Sequence, residues 1–322
     1  MVEGARAETT APRRRWLLPL VIWGSVLLAV VVLLASGEAP RMRATLARAD
    51  WWWLLPLSGA ALCLPVVHAR RWCSLLRAVG DDISLGAALE LTVTSTMVSY
   101  AAPGYLWSPA KGLLARQFHG ISVARSLPTL AAEQGLDVLA LLLGSLAGLA
   151  AAGSAASARL SERVASPSLR VLLASVALLV GLAVPAAWFG RRYASRFGAS
   201  TAASARTLAR DRSQRGAILL LTAGRWSLDA CAVFCAVLAV GVHPAVGQVV
   251  LLTSLPLLIG LISPVPGGIG FREGAMAAVA AALGLPAGAV LTAAVLHRAV
   301  LLLALPVLLA IVSSWGWSRS WR

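Results

Sequence analysis

Charge is scarce in this sequence. Asp, Glu, Lys and Arg make up 13% of its 322 residues, about half the share found in an average soluble domain. Apolar residues make up 59%, and the mean hydropathy is +0.80. A soluble core of this length cannot bury so much apolar surface. A soluble enzyme and a disordered chain are both excluded. Lysine is almost missing: Lys111 stands alone, and the other basic residues are arginines. The net charge of +15 therefore does not point to nucleic acid. The arginines sit mostly in short loops between apolar runs, as orienting charges do in membrane proteins. Cysteine is also sparse. Cys63, Cys73, Cys231 and Cys235 form no C-x-x-C, which excludes a disulfide scaffold and argues against a metal site. They read as small packing residues. No Ser/His/Asp set, P-loop or dinucleotide fingerprint is present. Neither a cofactor nor an enzymatic activity is expected.

What is present is a series of apolar runs, several of which reach the ~20 residues needed to cross a bilayer. Six are long enough: 16–36, 51–68, 126–152, 169–189, 216–241 and 287–314. The first follows Arg13, Arg14 and Arg15 as a signal peptide would. It is longer than a signal-peptide apolar region and lacks an A-x-A site, so it reads as a retained span. Two other stretches are interrupted. The stretch 85–102 stops at Pro103-Gly104 and resumes at 106–119. The stretch 248–263 stops at Pro264-Val265-Pro266-Gly267-Gly268 and resumes at 269–283. Each reads as a broken, re-entrant helix pair. The expected fold is an all-α polytopic membrane protein with about six spans and two re-entrant pairs. Its segments are a basic N-terminus (1–15), one transmembrane domain (16–314, with broken pairs at 85–119 and 248–283) and a short tail (315–322).

The arginines orient this arrangement. With the N-terminus inside, Arg41, Arg43, Arg48, Arg159, Arg163 and Arg170 fall outside. Arg225, Arg272 and Arg298 fall in apolar surroundings. All the remaining basic residues, Arg70 and Arg71 among them, fall inside. This asymmetry places both termini in the cytoplasm of a cell-membrane protein. Trp51–Trp53 and Trp315, Trp317 and Trp321 read as interfacial belts. The arginine-rich loop 190–215 reads as a topology anchor at the anionic leaflet, or as a contact for anionic headgroups. The oligomeric state is not readable.

The two broken stretches can be superposed. Pro103-Gly104 matches Pro266-Gly267, and 119–134 lies over 283–298 at a constant offset, which sets Glu133 opposite His297. The first unit enters from inside and the second from outside, so the two are inverted. Paired breaks in inverted units are a strong sequence pointer to a transporter's substrate site.

Intramembrane ionisable groups are costly, by roughly 2.5–3.5 kcal/mol on insertion scales, so each is informative. Glu133 and Asp137 share a helix face at i, i+4. They can hold a proton or a cation, or pair with Arg272 or Arg298. Arg225 and Asp229 are also i, i+4 and can neutralise each other. Around Pro266, Gly267, Gly268 and Gly270, prolines end one helix and glycines allow a left-handed turn. The next helix should begin near Ile269 with free N–H groups, which suit an anion. Arg272, in its first turn, can fork onto a phosphate. In the weaker partner site at Pro103 and Gly104, Ser108 is a candidate N-cap before Pro109. Lys111 can reach a phosphate or snorkel to the interface. His297 and Arg298 point to a central cavity.

These motifs resemble the flippase-like membrane domain of the lysylphosphatidylglycerol synthase superfamily, over about 16–314. Its C-terminal signature, P-x-P-G-G-x-G-x-R-E, is matched by Pro264, Pro266, Gly267, Gly268, Gly270, Arg272 and Glu273. Its last-helix arginine is matched by Arg298, preceded here by His297. Its E-R-x-x-D signature is matched at Glu133 and Asp137, with Gln134 replacing arginine. Of the N-terminal signature P-G-R-x-G-E-P-x-R, Pro103, Gly104 and Pro109 are kept. Lys111 replaces an arginine, Tyr105 stands at an arginine position and Ser108 at a glutamate position. The resemblance implies movement of a membrane lipid between leaflets. In two-domain members a soluble aminoacyl-transferase domain makes the lipid. These residues include no such domain, so synthase activity is not expected. The reading is a flippase for a phosphate-bearing lipid, with Glu273, Arg272 and Arg298 at its site. The alternatives are a proton-coupled transporter of a small anion and an accessory subunit of a lipid- or glycan-modifying enzyme.

Overall fold

The structure is a computed structural model that describes residues 39–101, 107–153, 212–263 and 267–314. The expected spans 16–36 and 169–189, most of loop 190–215, the Arg13–Arg15 cluster, the C-terminal tryptophans, and Pro103, Gly104 and Pro266 lie outside the described residues. Within them the chain is all helical. Nine α-helices follow in order: α1 (Ala39–Ala47), α2 (Leu54–Arg77), α3 (Leu85–Ala101), α4 (Trp107–His119), α5 (Val123–Ala152), α6 (Arg212–Ala239), α7 (Val246–Ile262), α8 (Phe271–Ala282) and α9 (Ala287–Ser314). A 3₁₀ turn, Trp51–Trp53, leads into α2 and is capped by Asp50, whose Oδ1 accepts from the Trp52 N–H at 3.2 Å. Trp51 and Trp52 stand exposed there. Four stretches are long and apolar enough to cross a membrane: Trp51–Arg77, Arg125–Ala152, Gln214–Ala239 and Ala287–Ser314. Each overlaps a span read from the sequence, Gln214–Ala239 ending two residues short of the expected 216–241. The chain is a polytopic all-α membrane protein.

The helices fall into two quartets, α2–α5 and α6–α9. Each runs long helix, short pair, long helix. The same helix pairings recur under their exchange, though to unequal extents. α5 packs on α7 as α9 packs on α3, and α2 touches α9 as α6 touches α5. The equivalent helices α2 and α6 pack on each other and run antiparallel. Asp50 N–H donates to Ala239 O (2.8 Å) at one end, and Arg71 Nη1 donates to Thr222 Oγ1 (3.3 Å) towards the other. Antiparallel equivalents are what inverted repeats require. Two apolar cores result, each drawing on both quartets. One gathers Trp72, Leu75, Leu76, Leu91, Leu130 and Leu308; the other gathers Leu57, Val237, Leu251, Met276, Val279 and Val290.

Small residues allow the helices to approach. A Cβ at Gly148 of α5 would lie 2.7 Å from the Leu251 backbone nitrogen of α7, and one at Gly247 would lie 2.5 Å from the Ala151 Cβ. Bilayer lipid supplies no hydrophobic drive between helices, so such backbone contact carries the packing. Outward-facing leucines such as Leu139, Leu143, Leu146 and Leu220 are exposed, as lipid-facing positions should be.

The end of the second span differs from the sequence reading. The second span was expected over 51–68, but α2 continues to Arg77. Arg70 and Arg77 are exposed, while Arg71 is 0% exposed. Arg71 is therefore not a loop charge. It follows His68 by three residues on one helix face, and acids on α5 compensate it.

Candidate functional site

The buried charges form two clusters with a cavity between them. In the first, α5 supplies Glu133 and Asp137 one turn apart, both buried. Arg71 forks onto Asp137, with Nη1 to Oδ1 at 2.6 Å and Nη2 to Oδ2 at 2.9 Å. Its Nη2 also lies 3.4 Å from Glu133 Oε1. His68 Nε2 sits 2.9 Å from the same oxygen. Lys111 donates to Glu133 Oε2 at 3.2 Å and lies 4.3 Å above the Trp72 ring. Trp72 in turn donates to Thr129 Oγ1 at 3.3 Å. Arg225 of α6 reaches Asp137 Oδ1 at 2.6 Å. Four helices are thus tied to two carboxylates.

This corrects three expectations. Glu133 and Asp137 do not pair with Arg272 or Arg298, because His68, Arg71, Lys111 and Arg225 are closer and satisfy them. Lys111 neither reaches towards a phosphate nor snorkels. It is 0% exposed, since Glu133 and the Trp72 face replace its hydration. Arg225 makes no ion pair with Asp229, because the Asp137 carboxylate across the α5–α6 contact draws it instead. Ser108 also departs from its expected role as a cap. Its hydroxyl donates to Gln134 Oε1 at 3.1 Å.

The second cluster is built on the turn between α7 and α8. Gly267, Gly268 and Gly270 have φ of 59°, 62° and 83°, the left-handed values expected for glycine. A Cβ at Gly267 would lie 2.7 Å from Tyr100 Cδ1, and one at Gly268 would lie 2.9 Å from Gly260 O. The Gly267 N–H donates to Ser99 O at 3.0 Å. The tip of the second broken pair therefore seats against the end of α3, the incoming helix of the first.

Helix α8 starts at Phe271, two residues later than expected, and its N-terminus is partly occupied. Glu273 Oε2 accepts from the Gly270 N–H at 2.8 Å. Arg298 donates Nε to Glu273 Oε1 at 2.6 Å and Nη1 to Gly267 O at 2.8 Å. Glu273 and Arg298 thus tie the turn to α9, and Arg298 Nη2 is left buried without a hydrogen-bond partner among the described residues. Arg272 differs. Its Nη2 lies 3.3 Å from His297 Nδ1, and no carboxylate pairs with it among the described residues.

The cavity measures about 240 Å³ and lies between the clusters. Arg272, Asp137 and Gly267, all expected at the site, line it. His68, Gln134, Tyr100, Arg225, Trp226 and Asp229 line it as well. Glu133, Lys111, Glu273, His297 and Arg298 do not. The sequence reading assigned Arg225 and Asp229 to mutual neutralisation and missed His68 and Tyr100. A signal for His68 did exist, in its three-residue spacing from Arg71 on an apolar helix. Among the described residues no group of three or more His, Cys, Asp or Glu is placed to hold a metal ion.

The sequence profile of the lysylphosphatidylglycerol synthase TM region matches residues 17–310. A UPF0104 membrane protein of Methanothermobacter thermautotrophicus is 32% identical over 94 residues, which are 29% of this chain and 26% of that protein. The match thus covers about a quarter of that relative's length. No solved structure matches the chain. The chain belongs to the lysylphosphatidylglycerol synthase TM region family.

Proposed function

We propose that the protein moves a phosphate-bearing lipid between leaflets, with the headgroup passing through the cavity between the two quartets. The observation that carries this reading is Arg272. It is a cavity-lining guanidinium whose polar contact is a histidine nitrogen and not a carboxylate. A fork-shaped, permanently charged donor is well suited to a phosphate. Arg298 and Glu273 hold the turn that presents it. Gln134, Tyr100 and Trp226 add polar atoms and aromatic faces to the cavity. The acyl chains stay in the bilayer, and the inverted quartets gate alternately from the two sides. The protein lies in the cell membrane with both termini cytoplasmic, and loop 190–215 meets anionic headgroups. No covalent chemistry is assigned to it.

The test is leaflet exchange of headgroup-labelled phospholipids and lipid-linked sugars in proteoliposomes. Wild-type exchange that falls at least tenfold in Arg272→Ala is expected. Absence of exchange from a folded, inserted wild type, or undiminished exchange in the variant, overturns the reading. The modest cavity volume favours one rival, proton-coupled transport of a small anion. Uptake of a soluble anion into vesicles without lipid exchange would select it.

A further inference from the structure

One carboxylate at the cavity has no bonded partner among the described residues. Asp229 is 6% exposed and lines the cavity. Among the described residues it makes no hydrogen bond or ion pair, since its helix neighbour Arg225 is engaged by Asp137. The groups that face it are few. Arg225 is on its own helix, Asp137 comes from α5 and His68 from α2. Arg272 comes from α8, backed by His297 and Arg298 of α9, and Tyr100 comes from α3. From α7 come Leu257, Gly260 and Leu261, which carry no charge. Its electrostatic partners are Arg225, Arg272 and Asp137. Arg225 and His68 are already tied to carboxylates of the first cluster. Arg272 is, among the described residues, the cavity cation with no carboxylate within ion-pair distance.

With the cavity empty, an ionised Asp229 is the natural counter-charge of Arg272. An anion docking on Arg272 takes over that role and adds a second negative charge to the same cavity. Two negative groups sharing one site disfavour joint ionisation. We propose that Asp229 is a proton-coupling site, binding one proton when an anionic group occupies Arg272 and releasing it when that group leaves. The inference rests on the reading of Arg272 given above and supplies the driving force that reading lacks. By linkage the effect is reciprocal: anion binding raises proton affinity, and protonation raises anion affinity. A proton gradient across the bilayer then sets the direction of movement. Neither Glu133 nor Asp137 serves here, because each already has two or more basic groups within ion-pair distance.

The experiment uses the purified full chain in detergent and dihexanoyl phosphatidylmethanol, a phosphodiester whose charge is constant between pH 5 and 9. Its affinity is measured across that range for wild type, Asp229→Asn, Asp229→Glu and Arg272→Ala. Proton uptake on binding is read with an indicator in weak buffer. Wild-type affinity is expected to weaken by up to about tenfold per pH unit on the alkaline side, with close to one proton taken up per probe. Asp229→Asn should bind with a flat pH profile and no uptake, and Asp229→Glu should recover the slope. Size-exclusion behaviour and thermal midpoint identify any variant that has not folded. An unchanged slope in folded Asp229→Asn overturns the coupling role while leaving Arg272 as the anion site. No binding by wild type, or binding undiminished in Arg272→Ala, overturns the underlying reading and the coupling with it.

Discussion

The two helix quartets place an ion pair at the same joint with opposite signs. In the first, Lys111 of α4 meets Glu133 of α5; in the second, Glu273 of α8 meets Arg298 of α9. Their surroundings differ. Glu133 also receives His68 and Arg71, and Asp137 receives Arg71 and Arg225, so each carboxylate of the first cluster has at least two basic groups within ion-pair distance. The second cluster satisfies Glu273 through Arg298 and the Gly270 N–H. It leaves Arg272 with a histidine nitrogen and Asp229 with no bonded partner. A closed network resists rearrangement, because separating its charges exposes each to a low-dielectric interior. An incomplete one can be completed by a ligand and a proton. Under the proposed function, the first cluster acts as the lock and the second receives the headgroup.

Substitutions can break or sharpen this contrast. Arg71→Ala should have the largest effect. It strips Asp137 of its fork and Glu133 of one partner, and removing one side of a buried pair costs about 3–5 kcal/mol. Thermal unfolding in detergent should show a large drop in midpoint. If the midpoint holds, the first cluster is not the lock. Arg272→Ala should do the reverse. Lipid exchange should fall by roughly a hundredfold, equivalent to about 2.7 kcal/mol of transition-state stabilisation, while the midpoint barely moves. A midpoint loss as large as that of Arg71→Ala would erase the distinction.

Gly148→Leu tests the seam between the quartets and touches no charge. Overpacking against Leu251 should cost about 1–3 kcal/mol, read in the same unfolding assay, and exchange measured below the midpoint should persist. The smallest effect belongs to Ser108→Ala. This substitution loses one hydroxyl bond to Gln134, about 1 kcal/mol, with little change in exchange. A large exchange defect there would move part of the site into the first quartet.

Much of this was legible beforehand. The four described spans, the broken pairs, the left-handed glycines and the inverted repeat follow from apolar run length and from where proline and glycine interrupt it. The charge pairing did not follow. Glu133 and Asp137 were readable as a face, but not their partners. Arg71 looked like a loop charge because hydropathy falls at His68, although the helix continues for nine more residues. Lys111 read as a phosphate-reaching or snorkelling group because the sequence does not place Trp72 beneath it.

What the sequence determined by itself is therefore the class of protein and its plan. Composition excludes a water-soluble core, and interrupted apolar runs with arginines between them define a two-unit helical membrane domain. Those properties depend on residues near one another in the chain. The tertiary structure decided which charges are consumed and which remain available. Each pairing joins helices far apart in sequence. At a shared carboxylate the closest of several cations prevails, and only the packed arrangement of α2, α4, α5 and α6 determines which is closest. That same packing left Arg272 and Asp229 facing a cavity.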